Sequence, residues 1–177
     1  MRYTPTSMRH ATRHRTPAPA LLAALLLAAL LSSGACLAIV HLRMERTDSR
    51  EFSFLRWNLV LAWLPVAIAL ALHWAERLRA PLPVLAVLGI GWLAFLPNAP
   101  YLVSDLVHLG TTWVNVPIWF DAAMFGTFAI TGLLLGYVSV FLVQSLVARR
   151  LGWPTAWGVT LAAWALTMTF FVLSLVP

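Results

Sequence analysis

The chain has no lysine, a single cysteine and only six acidic residues in 177. Each scarcity excludes something. With Cys36 alone, no internal disulfide can form. With charged residues at 10% of the chain, against about 25% in an ordinary soluble domain, a water-solvated fold is excluded over most of the length. Local catalytic motifs are missing too: there is no nucleophile elbow, phosphate-binding glycine loop, HExxH or cysteine pair, and spacing alone implies no general acid–base pair. No repeat of about twenty to fifty residues is visible.

What is present is apolar sequence, 61% of the chain, with a net charge of +6. All twelve basic residues are arginine, and they cluster at the ends of apolar segments. That is the distribution of topology signals and headgroup contacts, not of a nucleic-acid surface. Nucleic acid is therefore not an expected partner, the lipid bilayer is, and no cofactor is implied. The absence of lysine beside abundant alanine, proline and tryptophan points to a GC-rich bacterial genome, and hence to a bacterial cytoplasmic membrane.

Residues 1–18 are basic and lack apolar periodicity, which predicts a disordered tail near anionic headgroups. Five apolar segments follow, at about 19–42, 54–74, 82–96, 117–147 and 154–176. The predicted fold is all-α: a polytopic transmembrane helix bundle in one domain, 19–177. The first segment has a signal-peptide rival, because Ser32 to Cys36 resembles a cleavage region. The apolar run continues to Val40, however, and Ser33 three before Cys36 is a poor lipoprotein signal, so a retained helix is expected. Pro65 should kink the second segment, and Pro154 suits a first helical position. The third segment spans only roughly 23 Å at about 1.5 Å per residue, short of a hydrocarbon core of about 30 Å. The fourth, at roughly 45 Å, must tilt or run into the interface.

Loop arginines set the orientation. With the N-terminus cytoplasmic, that side carries Arg2, Arg9, Arg13, Arg15, Arg77, Arg79, Arg149 and Arg150. The other side carries Arg43, Arg46, Arg50 and Arg56, three acidic neighbours, and a loop from Asn98 to Val116 with no arginine. The N-terminus is accordingly expected inside.

That arginine-free loop holds the main polar cluster. Pro97 and Pro100 should end the third helix near Leu96, and a short helix over 100–109 should follow, stopping at Gly110. Tyr101, Ser104, Asp105 and His108 fall at i, i+3, i+4 and i+7, on one helical face. Two readings compete. In one, this helix lies in the headgroup region, with Tyr101 and Trp113 in an aromatic belt. In the other it folds back and aims Asp105 and His108 at a cavity, as the half-helices of transporters do. Asp121 either complements the start of the fourth helix electrostatically or joins Asp105 and His108 as a proton relay or a cation site, although the spacing is no recognised metal motif.

Other candidates are weaker. Arg56 and Trp57 fit an interfacial anchor. Asn58 needs a partner inside the membrane and is placed to approach the Asn98–His108 region. His73 and Glu76, three apart at a helix end, are spaced to pair. Gly132 and Gly136, with Ala122 and Gly126, form a small-residue face that invites close packing, within the chain or against a membrane-protein partner or second copy.

Three stretches, FLRWNLVLAWLP at Phe54–Pro65, WLAFLPNAPYLVSDLVHL at Trp92–Leu109 and WFD at Trp119–Asp121, resemble a family of bacterial membrane proteins catalogued as a domain of unknown function. The resemblance covers about Phe54 to Val147. Its matching positions are Arg56, Trp57, Asn58, Pro97, Asn98, Pro100, Tyr101, Asp105, His108 and Asp121. It implies an integral membrane protein, with further sequence after the last segment, and supplies no activity. Three function classes follow: an outer-side polar pocket that binds or transports a small solute, ion or lipid headgroup; an assembly partner of another membrane complex; and a membrane-embedded enzyme using Asp105, His108 and Asp121.

Overall fold

The structure, a computed structural model, describes residues 19–48, 50–109 and 116–175. The basic tail expected over 1–18 and the stop expected at Gly110 lie outside them, as does Trp113. Six α-helices run in order: α1 Pro19–Thr47, α2 Phe54–Arg77, α3 Leu82–Phe95, α4 Asn98–Tyr101, α5 Ile118–Leu151 and α6 Trp153–Leu175, with 3₁₀ turns at Glu51–Ser53 and Ser104–His108. There is no strand among the described residues, so the all-α bundle expected from composition is the fold. Among the described residues five stretches are long and apolar enough to cross a membrane, and the third of them runs from Leu82 to His108, across the break.

Proline and glycine set most of the boundaries. Pro81 caps α3 in an extended conformation, and Pro117 does the same for α5. Pro65 sits buried inside α2. Between α5 and α6 only Gly152 intervenes, at φ +86°, a left-handed geometry that a side chain disfavours. Its amide still donates to the Ala148 carbonyl at 3.1 Å, which ends α5 cleanly and reverses the chain. Pro154 is the second residue of α6, one later than expected, because Trp153 already lies in the helix.

The long helix α5 is the centre of the bundle. It packs against α1, α2, α4 and α6, while α3 packs on α2. Phe125, Phe128, Leu135 and Leu142 of α5 meet Leu55, Ala62, Val66 and Ala69 of α2 in the core. Lipid is as apolar as these side chains, so shape and polar pairing hold the helices together. Trp92 of α3 donates its indole N–H to Ser139 of α5 at 2.6 Å. Trp63 of α2 donates to Ser33 of α1 at 3.0 Å. Ser32 and Cys36 of α1 meet the Thr131 hydroxyl of α5. His73 reaches the Leu142 carbonyl at 2.9 Å, and Glu76 bonds Arg149 at 3.0 Å and Arg150 at 3.2 Å. His73 and Glu76 thus find partners on α5, beyond the weak local pairing that their spacing allows.

The break after α3 departs from the single helix expected over 100–109. Asn98–Tyr101 makes one α-helical turn, already containing Pro100. The chain then tightens: Val103 N–H bonds the Pro100 carbonyl, Leu106 that of Val103, and Leu109 that of Leu106. These are i to i+3 bonds with three residues per turn, so side chains three apart stack on one face. Ala99, Leu102 and Asp105 share the buried face, while Tyr101 and Val107 are exposed. The expected common face of Tyr101, Ser104, Asp105 and His108 is therefore wrong, because it assumed 3.6 residues per turn where the backbone uses 3.0.

Candidate functional site: a buried carboxylate behind a broken helix

Gly132 and Gly136 explain how the break fits. A Cβ added at Gly132 would collide with the Ala99 carbonyl oxygen and lie 2.9 Å from Leu102 Cβ and Cδ1. At Gly136 a Cβ would meet Ala99 Cβ at 3.5 Å and Pro100 Cδ at 3.9 Å, ordinary contact distances. The stretch of α5 at Gly132 and Gly136 is the groove that receives α4; the expected extension of that face is not part of it, since among the described residues a Cβ at Gly126 would meet nothing within 4 Å and Ala122 is exposed. A partner helix at Gly132 would have to displace the chain's own backbone.

Seated there, the 3₁₀ turn delivers Asp105 to α2. The carboxylate is buried, at 3% exposure, and Asn58 Nδ2 donates to Oδ2 at 3.1 Å and to Oδ1 at 3.4 Å. His108 is near enough to act on Asp105 electrostatically. Its ring stands edge-on to Phe54 at 5.4 Å and tilted against Phe125 at 6.5 Å. Ser104 turns back to the Tyr101 carbonyl at 2.6 Å.

Beside this contact opens a cavity of about 320 Å³ lined by Asn58, Leu61, Asn98, Tyr101 and Phe170. Asn98 donates to the Phe95 carbonyl at 3.0 Å, which satisfies an acceptor freed at the end of α3 and fixes the amide at the cavity edge. The structure thus brings together Asn58, Asn98, Tyr101 and Asp105 from the sequence candidates, and adds Leu61 and Phe170.

Asp121 and Arg56 go elsewhere. Asp121 is buried and holds Arg43 in a two-pronged pair, Nε to Oδ1 at 2.7 Å and Nη2 to Oδ2 at 3.2 Å. Arg43 is itself buried and sits 5.2 Å from the centre of the Phe52 ring. Phe52 in turn meets Phe125 at 5.2 Å, one turn beyond Asp121. An ionic clamp and a ring cluster thus tie α1 to α5 next to the carboxylate site, and Asp121 is spent on Arg43. Among the described residues, no group of three or more His, Cys, Asp or Glu is placed to hold a metal ion. Arg56 points away to Met44 Sδ at 3.3 Å, on a separate open bowl of about 590 Å³ with His41, Glu45, Asp48, Arg50 and Ser53.

Arg43 is the residue that sequence reasoning missed, having taken it for a loop charge. Its signal was there: Ala29, Ser33, Cys36, Val40 and Arg43 recur at the three- and four-residue spacing of a helix and form the buried face of α1.

No curated protein and no solved structure matches the chain. A family described as "Protein of unknown function (DUF1361)" matches residues 57–175. That match begins at Trp57, which leaves out Arg56, and takes in all of α6 to Leu175, beyond the Val147 end of the resemblance read from the motifs. The polar groups of the site (Asn58, Asn98, Tyr101, Asp105) and Phe170 all lie inside it, whereas Arg43 lies outside. With most of its length matched, this helical membrane protein belongs to the DUF1361 family.

Proposed function

We propose that the protein is a non-catalytic membrane-embedded binding protein, part of a permease or a solute receptor, whose pocket takes a small uncharged hydroxylated molecule. The observation that carries the reading is the cavity at the polar corner of a broken span, with Asn58, Asn98 and Tyr101 on its wall. Non-helical backbone at membrane depth is sustained where protein or a water-filled cavity satisfies it, and such breaks form solute sites. The volume of about 320 Å³ sits at the small end of ligand sites, about 300–1,000 Å³. Among the described residues no cationic side chain lines the cavity, which disfavours a phosphate or carboxylate ligand. The amide nitrogens of Asn58 and Asn98 each direct one N–H to Asp105 or Phe95 and keep a second, so each amide offers an oxygen and a donor, and the matching solute brings hydroxyls, which both donate and accept. Leu61 and Phe170 suit its carbon face.

The arginine distribution supports a cytoplasmic N-terminus in a bacterial inner membrane, which would put this cavity on the outer side. The test is equilibrium binding of a panel of small polyols to protein in lipid nanodiscs, read by ligand-observed NMR. Binding that Tyr101→Phe and Asn58→Leu weaken roughly tenfold, about 1.4 kcal/mol, while Arg56→Gln leaves it unchanged, is the expected result. Polyol binding indifferent to Asn58 and Tyr101, or absent from the whole panel, would refute it.

A further inference from the structure

A second cavity, sharing no lining residue with the first, opens between α1, α5 and α6 with a volume of about 390 Å³. Its wall is almost wholly apolar, with Leu25, Leu134, Val138, Phe141, Trp157 and Trp164. Three polar side chains interrupt it: Tyr137, Gln144 and Thr160. Of these, Gln144 has its Nε2 buried without a hydrogen-bond partner among the described residues. An unmatched N–H in a lipid-like environment is costly. The Thr160 hydroxyl donates to the Ala156 carbonyl at 2.9 Å and does not accept from Gln144 Nε2. The occupant that fits is apolar along its length and carries one acceptor.

Depth identifies that occupant. Gln144 precedes Arg150 by six residues on α5, about 9 Å along the axis at about 1.5 Å per residue. Arg149 and Arg150 close the helix with Glu76 and mark the headgroup zone at this end. The headgroup zone is roughly 5–8 Å deep on each side of the hydrocarbon core, so Gln144 stands at its inner edge, where the acyl esters of a phospholipid lie. Trp157, more than half exposed beside the cavity, is the kind of amphipathic ring that settles at that level. We propose that this cavity seats one acyl chain of a diester glycerophospholipid from the leaflet at the Arg149–Arg150 end, its ester carbonyl accepting from Gln144 Nε2.

The test compares ester with ether lipids. Protein in vesicles holding equal amounts of diacyl phosphatidylcholine and its dialkyl-ether analogue is released into native mass spectrometry, and the last retained lipid is identified. One hydrogen bond should give the wild type a roughly threefold to tenfold preference for the diester, and Gln144→Leu should retain lipid without preference. A wild type that holds both lipids equally overturns the proposal, and this arm needs no variant to fold. A preference unchanged in Gln144→Leu overturns it too, as does a dimer that retains no lipid and buries Trp157 and Trp164 between copies.

Discussion

Substituting alanine for Gly132 should damage the protein, while the same change at Gly136, one turn along the same face, should not. The new methyl at position 132 meets the Ala99 carbonyl oxygen and two Leu102 carbons. The oxygen belongs to the backbone of α4 and cannot rotate away, so the whole turn must shift. Overpacking of this kind costs about 1–3 kcal/mol, and the backbone contact puts Gly132→Ala at the upper end. Alanine recovers about 1 kcal/mol of helix propensity over glycine, leaving a net loss of about 2 kcal/mol. At position 136 the contacts of 3.5 and 3.9 Å are ordinary, so only the propensity gain remains, up to about 1 kcal/mol. With about 2–4 °C per kcal/mol for a chain of this size, Gly132→Ala should melt about 4–8 °C below wild type in one detergent, and Gly136→Ala at or slightly above it. Fluorescence-detected size exclusion after heating reads both. Equal melting of the two variants would refute the packing of α4 into the glycine groove.

Removing one partner of the Arg43–Asp121 clamp leaves a buried charge, so Arg43→Met or Asp121→Leu should cost about 3–5 kcal/mol, with most of it recovered in Arg43→Met/Asp121→Leu; a denaturation double-mutant cycle measures this. Asn58→Leu strips the Asp105 carboxylate of its amide donor and should cost about 1–3 kcal/mol, with the loss largely recovered by adding Asp105→Leu. Trp92→Phe should cost about 0.5–2 kcal/mol by deleting the indole bond to Ser139, and Ser139→Ala in that background should add little. Glu76→Gln, at the partly exposed end of α2, should cost no more than about 1 kcal/mol, and less in high salt.

Much of the fold was legible because hydropathy and proline act locally. Apolar runs gave the spans, Pro97 gave the break, and the shortness of α3 demanded a completing segment. Asn58 was legible for the same reason, since an amide inside a membrane helix must find a partner. The direction of Asp105 was not. It depends on the backbone tightening to i to i+3 bonds after Pro100, and that depends on the groove that Gly132 and Gly136 cut in a helix 30 residues away. The partner of Asp121 was hidden for a similar reason: α1 runs on to Thr47, a turn past where its apolar run ends, and so carries Arg43 into the bundle. Phe170 entered the cavity wall only through packing, because nothing in the apolar sequence of α6 distinguishes one phenylalanine from the next.

The central claim is that the segment from Pro97 to His108 packs against α2 and closes on Asn58. Cysteine cross-linking in membranes tests it most directly, in a chain whose own cysteine is removed by Cys36→Ala. Asn58→Cys/Asp105→Cys should join rapidly with a short thiosulfonate reagent, while Trp57→Cys/Asp105→Cys, with position 57 turned outward, should not. If the Asn58→Cys/Asp105→Cys pair stays unlinked, and Asp105→Cys reacts with an aqueous maleimide as fast as Val107→Cys, the segment is an interfacial helix and the account is wrong.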